Sequence, residues 1–98
     1  MVILGIDPGY AIVGFGVLRQ EHSGQSLVSC GAINTSAGLP MPRRLLQIAE
    51  DLEQLICRFQ PDAMAVERLY FGNNVTTGIG VAQARGVILM TAARQGLP

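Results

Sequence analysis

Two short apolar runs in this chain each end on an acidic residue, and that pairing constrains the fold more than any other feature. The first, Val2, Ile3, Leu4 and Ile6, runs into Asp7 within the stretch G-I-D-P-G; the second, D-A-M-A-V-E, begins at Asp62 and ends at Glu67. Each reads as a buried strand that delivers a carboxylate at its C-terminal end. Neighbouring strands lie about 4.8 Å apart, so if these two pair in parallel, Asp7 and Glu67 meet at one edge of a sheet and make a divalent-metal site. Asp7-Pro8-Gly9 taken alone is ordinary turn chemistry, proline fixing φ and glycine supplying a permissive backbone.

The intervening sequence says whether such a pairing is open to the chain. Residues 12–19 read as a second strand, Glu21-His22-Ser23-Gly24 as a polar turn and residues 26–34 as a third strand, which makes an antiparallel meander. Gly14 and Gly16 share a face under the two-residue period, which either leaves that face bare for something that approaches the backbone or marks a bulge. Gly38-Leu39-Pro40-Met41-Pro42 then breaks the chain before a helix. On it Leu45, Ile48, Ala49, Leu52, Leu55, Ile56 and Phe59 recur at three- and four-residue steps, with Glu50, Asp51, Glu53 and Arg58 on the other face. That helix covers a sheet, and Pro61 ends it.

A strand, helix, strand unit makes a right-handed parallel crossover, so the fourth strand, residues 62–67, runs parallel to the third and, through the meander, to the first. Docked beside the first strand it gives the order 3-2-1-4 and brings Asp7 and Glu67 to adjacent strand ends, where open α/β sheets bind ligands. The predicted class is therefore α/β, with a mixed sheet in which strands 1 to 3 are antiparallel, strand 4 is parallel to strand 1, and helices flank the sheet. Directly after Glu67 comes Arg68-Leu69-Tyr70-Phe71-Gly72-Asn73-Asn74, an aromatic and basic loop, and then a second helix over about 75–94. Gly78, Gly80 and Gly86 each cost that helix about 1 kcal/mol relative to alanine. Gly78, Ala82 and Gly86 step by four along one face and leave a shallow stripe for close helix packing, either in the domain's own core or against a second copy.

Composition narrows the function classes. With 49% hydrophobic and 14% charged residues over 98 positions, the chain is too apolar to be a disordered tail and long enough for one domain at most. Its zero net charge does not announce a nucleic-acid binder, although all seven basic residues are arginine, the side chain suited to bidentate phosphate contacts. Cys30 and Cys57 lie far apart in apolar sequence, and His22 is the sole histidine, which argues against a zinc site or a disulfide framework and for two reduced core thiols. No stretch spans a membrane uninterrupted, since Gln83 and Arg85 break the most apolar one, so the cytoplasm is the default location.

An ionised carboxylate beside buried strand ends is costly unless it is solvated, paired or on a metal. The chain has no lysine, and Arg68 would point to the opposite face of a continuing strand. Two carboxylates as oxygen-only ligands point to magnesium or manganese, not zinc. Magnesium with few protein ligands works on phosphate, by clamping a nucleotide or by phosphodiester hydrolysis. The nucleotide version wants a glycine-rich cradle followed by Lys or Thr, and G-Y-A-I-V-G lacks both. For hydrolysis, the loop after Glu67 suits an unstacked base and a backbone phosphate; a hydrophobic lid over the helix would use Tyr70 and Phe71 equally well.

The stretches I-L-G-I-D-P-G, R-F-Q-P-D, A-V-E-R-L-Y-F-G-N-N and V-A-Q-A-R-G-V run over essentially the entire chain, and in them it resembles the RuvC-type Holliday junction resolvases, whose fold is RNase H-like. The resemblance implies that Asp7 and Glu67 are two of four acidic metal ligands and the catalytic acids. It places DNA contacts on Arg68, Tyr70, Phe71, Asn73 and Asn74, with Tyr70 at the position of an aromatic that stacks on unpaired bases. It places a homodimer interface on the second helix, through Gly78, Ala82, Arg85 and Gly86. It further implies Mg²⁺ as cofactor, two ions per site with Mn²⁺ able to substitute, and hydrolysis that leaves a ligatable nick. Four-way junction DNA is the implied substrate, and the RuvA-RuvB branch-migration complex the implied partner, in DNA recombination and repair. Family members continue beyond position 98 into segments that carry the remaining acids, so residues 1–98 are expected to be the N-terminal portion of a nuclease domain, inactive by themselves. A YqgF-like nuclease acting on RNA shares the opening motif but not E-R-L-Y-F-G-N-N, and a dimerising junction-binding module without chemistry is the other alternative.

Overall fold

Leu4 and Ile6 are buried while Gly5 and Asp7 point the opposite way, so the first strand, β1 (Val2–Asp7), already has one core face and one open face. The computed structural model describes residues 1–9, 11–36, 38–67 and 75–97. After β1 come β2 (Ile12–Glu21), β3 (Gly24–Asn34), α1 (Met41–Phe59), β4 (Ala63–Val66) and α2 (Val75–Arg94). The sheet order is β3-β2-β1-β4, antiparallel across the first three strands and parallel between β1 and β4, as the sequence predicts.

The turn after β1 needs its glycine. A Cβ on Gly9 would collide with the carbonyl of Ile12, so no other residue fits there without moving the start of β2. At the far end of the hairpin the strands run further than the polarity of 21–24 predicts. Glu21 pairs with Gly24, and the positive φ of Gly24 (127°) closes the turn over His22 and Ser23 alone. The pairing of β2 with β3 is regular through Gly14 and Gly16. Its irregularity lies between Val17 and Leu18, so the two glycines do not mark a bulge.

Helix α1 starts at Met41, with Pro42 inside its first turn, where the missing N–H has no partner to lose. Its buried stripe is Arg44, Ile48, Leu52 and Ile56, and Leu45, Leu55 and Phe59 pack beside that stripe. Arg44 extends the stripe by one turn, its Nε donating to the Leu39 carbonyl (3.2 Å), a role that the apolar period alone does not assign. The helix ends on Gln60 in the left-handed region (φ 47°), whose N–H donates to the Ile56 carbonyl, and Pro61 follows.

Both helices lie on one face of the sheet. Leu4, Ile6, Val13, Val17 and Ile33 meet Ile48, Leu52 and Ile56 from α1 and Ala84 and Ile88 from α2 in a single core. Helix α2 turns Gly80, Ala84, Ile88 and Ala92 inward; Gly78 and Ala82 are half-buried and Gly86 is exposed. The stripe with a step of four at Gly78, Ala82 and Gly86 therefore lies off the domain's own core. One expectation is overturned: Cys30 and Cys57 are free, but both are exposed instead of buried, because Cys30 falls on the open face of β3 and Cys57 on the outer side of α1.

Candidate active site

Asp62 fixes how β4 meets β1. Its carboxylate Oδ2 accepts from the N–H of Val2 (2.8 Å), while its own N–H donates to the carbonyl of Val2 (2.8 Å). From that clamp the parallel register runs Ile3 with Ala63, Leu4 with Met64, Gly5 with Ala65 and Ile6 with Val66. The N–H of Glu67 then donates to the carbonyl of Ile6 (3.0 Å), which carries the pairing one step further and sets Glu67 beside Asp7. The two predicted acids thus meet at the C-terminal edge of parallel neighbours, both exposed.

Their proximity has an electrostatic signature. The facing Asp7 carboxyl raises the pKa of Glu67 above the ordinary carboxylate range, first by a hydrogen bond between the two side chains and then by charge repulsion; desolvation adds to it. Among the described residues no third His, Cys, Asp or Glu joins them in a metal-binding group. Two hard oxygen donors with like charge fit a divalent cation such as magnesium or manganese, which would supply the missing positive charge.

The acids stand at one end of a shallow hollow of about 660 Å³ on the helix-free face of the sheet. Its floor is almost without side chains: Gly5 of β1, Gly14 and Gly16 of β2, Ala65 of β4 and, at the edge, Cys30 of β3 line it. Pairing explains the alignment, since Gly5 lies opposite Gly16 and Asp7 opposite Gly14. The sequence pattern points to Gly14 and Gly16 but not to Gly5, which the same two-residue period, counted back from Asp7, places on this face. Asp62 was legible only as the first residue of the fourth strand.

Other predicted site residues divide in two. Arg68, Tyr70, Phe71, Asn73 and Asn74 lie outside the described residues. On α2, Gly78, Ala82, Arg85 and Gly86 lie apart from the acids. Arg85 is half-buried, and its Nε has no hydrogen-bond partner among the described residues. Around that side of the helix, Ile79, Leu89 and Met90 are exposed.

The family model of the crossover junction endodeoxyribonuclease RuvC matches residues 3–98. Over its whole length the chain is 54% identical to a protein of that description from Brevibacillus brevis and 50% identical to one from Chloroflexus aggregans, spanning 59% and 60% of their lengths. The chain thus spans less than two thirds of the curated relatives it matches. Among solved structures, T. thermophilus RuvC in complex with Holliday junction substrate superposes with a TM-score of 0.90 at 31% identity, covering 100% of this chain and 63% of that one. The shared architecture is RNase H-like.

Proposed function

The chain belongs to the RuvC family of crossover junction endodeoxyribonucleases, and on that premise we propose that the protein carrying these residues resolves four-way DNA junctions by paired phosphodiester hydrolysis. The observation that carries this reading is the register of β1 and β4, which delivers Asp7 and Glu67 side by side over a bare sheet face. Such a pair has the donor chemistry to hold divalent cations against a phosphate, and the exposed floor gives a bulky polymer access to it. The T. thermophilus relative forms a complex with Holliday junction substrate, and we extend that substrate to this protein.

We assign Asp7 and Glu67 as two of the acidic ligands for Mg²⁺, two ions per site with Mn²⁺ as a substitute. Bound there, the metal supplies a water of lowered pKa and charge stabilisation at the phosphate. Asp7 and Glu67 hold and orient the ions, and because the facing Asp7 raises the pKa of Glu67, protons compete with metal loading increasingly as pH falls. We assign base stacking to Tyr70 and Phe71 and backbone contacts to Arg68, Asn73 and Asn74, because the sequence sets them directly after Glu67.

We further propose a homodimer through the outer side of α2, with Gly78, Ala82, Arg85 and Gly86 at the contact. Its support is an apolar helix that spends one side on the core and leaves Ile79, Leu89 and Met90 exposed on another. Two-fold symmetry gives each subunit one of the two strands to cut. Action in the cytoplasm, beside the RuvA-RuvB branch-migration proteins, belongs to the same reading. No helix among the described residues is long and apolar enough to cross a membrane.

The test is magnesium-dependent cleavage of an immobile four-way junction by a polypeptide that carries these residues at the length of the relatives. Linear duplex and structured RNA serve as controls. Symmetric paired nicks are expected on the junction alone, and Asp7→Asn should lower their rate on the order of a thousandfold. Cleavage of RNA in preference to the junction would favour an RNA nuclease of the same fold. Junction binding that survives Asp7→Asn, without metal-dependent nicks, would leave a recognition module.

A further inference from the structure

Of the three glycines that face the hollow below the acids, two have an ordinary local contact at the place where a side chain would begin. A Cβ on Gly5 would touch the Gly16 carbonyl (3.7 Å), and one on Gly14 the Asp7 Cβ (3.6 Å). Gly16 is different. A Cβ there meets nothing within 4 Å among the described residues, and its φ is not in the positive range that reserves a position for glycine. It pairs with Gly5 on one side and Cys30 on the other, in the middle of a regular stretch of ladder.

Glycine inside a strand weakens it, because the unfolded chain loses more freedom and no side chain packs. The fold returns nothing at Gly16 for that cost, since neither backbone conformation nor crowding calls for glycine there. Gly16 lies opposite Gly5, two residues before Asp7 on β1, so it forms the central floor of the hollow that leads to the two acids.

We propose that Gly16 is a positioning residue: its empty Cβ space is the clearance through which the sugar–phosphate backbone of the DNA strand crosses the sheet and lowers the scissile phosphate onto Asp7 and Glu67. This rests on the nuclease reading above and adds the path of the strand to it. A side chain at position 16 stands between the backbone and the sheet, and lifts the phosphate away from the carboxylates while leaving them in place. Displacement of the reacting group by about 1 Å is enough to cost on the order of a hundredfold in rate.

The experiment compares Gly16→Ala and Gly16→Val with the parent and with Asp7→Asn, all at the length of the relatives. The measurements are thermal midpoint, Mn²⁺ binding without DNA, junction affinity, and single-turnover nicking at saturating enzyme. Nicking should fall roughly tenfold for Ala and on the order of a hundredfold for Val. The midpoint should stay level or rise, because both side chains suit an extended backbone better than glycine does, and Mn²⁺ binding should be unchanged. Nicking by Gly16→Val at the parent rate, with Asp7→Asn inactive, overturns the clearance role alone. A lower midpoint in both Gly16 variants also overturns it, since the position would then be covered by the protein's own residues. Full nicking by Asp7→Asn overturns the site itself and this inference with it.

Discussion

Asp7 and Glu67 carry like charge on adjacent strand ends, and the consequence is measurable without any substrate. Because Glu67 has a raised pKa in the folded protein, the native state holds its proton at pH values where the unfolded chain has already lost it. The stabilising contribution of the protonated pair is therefore complete below the ordinary glutamate pKa and is lost as pH rises through the raised one. At neutral pH the unloaded pair opposes folding. We expect Asp7→Asn to raise the thermal midpoint at neutral pH in the presence of a chelator, with the difference shrinking as pH falls toward the ordinary carboxylate range. Mg²⁺ or Mn²⁺ should raise the midpoint of the parent more at pH 8 than at pH 5, and should do little for Asp7→Asn. Scanning calorimetry across pH, with and without metal, checks both signs.

The element that aligns the site is the short strand β4, and its anchor is a side chain. Asp62 holds the N–H and the carbonyl of Val2, five residues before Asp7, and itself precedes Glu67 by five, so the clamp and the acids are two ends of one register. An exposed hydrogen bond of this kind contributes about 1 kcal/mol. We expect Asp62→Ala to lower stability by about that amount, and to lower metal affinity at Asp7 and Glu67 as well, because a shift of one residue would turn Glu67 to the core side of the sheet. Asp62→Asn, which keeps an acceptor, should be close to the parent in both. Denaturant titration together with Mn²⁺ binding separates this from a general loss of stability, in which affinity per folded molecule would not change.

For the whole molecule, the decisive matter is which side of α2 the domain leaves over. The core takes Gly80, Ala84 and Ile88, and at the surface an exposed pair, Arg94 with Glu53 at 3.7 Å, links the helix to α1 and adds little. What remains outside is Ile79, Gly86, Leu89 and Met90, a surface that water does not favour. We expect Met90→Glu, alone or with Ile79→Glu, to weaken self-association on the order of a hundredfold in sedimentation experiments, since a charge would be buried without a partner. The fold of each copy should be unchanged, because both positions lie outside the core. A monomeric parent of unaltered activity would contradict the dimer.

The sequence by itself determined the elements, their order and the two acids. Apolar periods of two and of three to four set strands against helices, and the limits Val75–Arg94 of α2 emerged despite three glycines in it. Parity along β1 and the chirality of the crossover then brought Asp7 and Glu67 together. Tertiary structure alone decided the rest. Cys30 and Cys57 carry no mark of exposure in an apolar neighbourhood, because which side of an element meets the core depends on partners distant in sequence. The same holds for α2, where small residues recur on two sides, and only the docking of α1 selects Gly80 and Ala84 over Gly78 and Ala82. Asp62 shows the limit most plainly. One acid in the run D-A-M-A-V-E sets a register and the other comes to stand beside Asp7, and what separates them is the backbone each one faces after β4 has found β1.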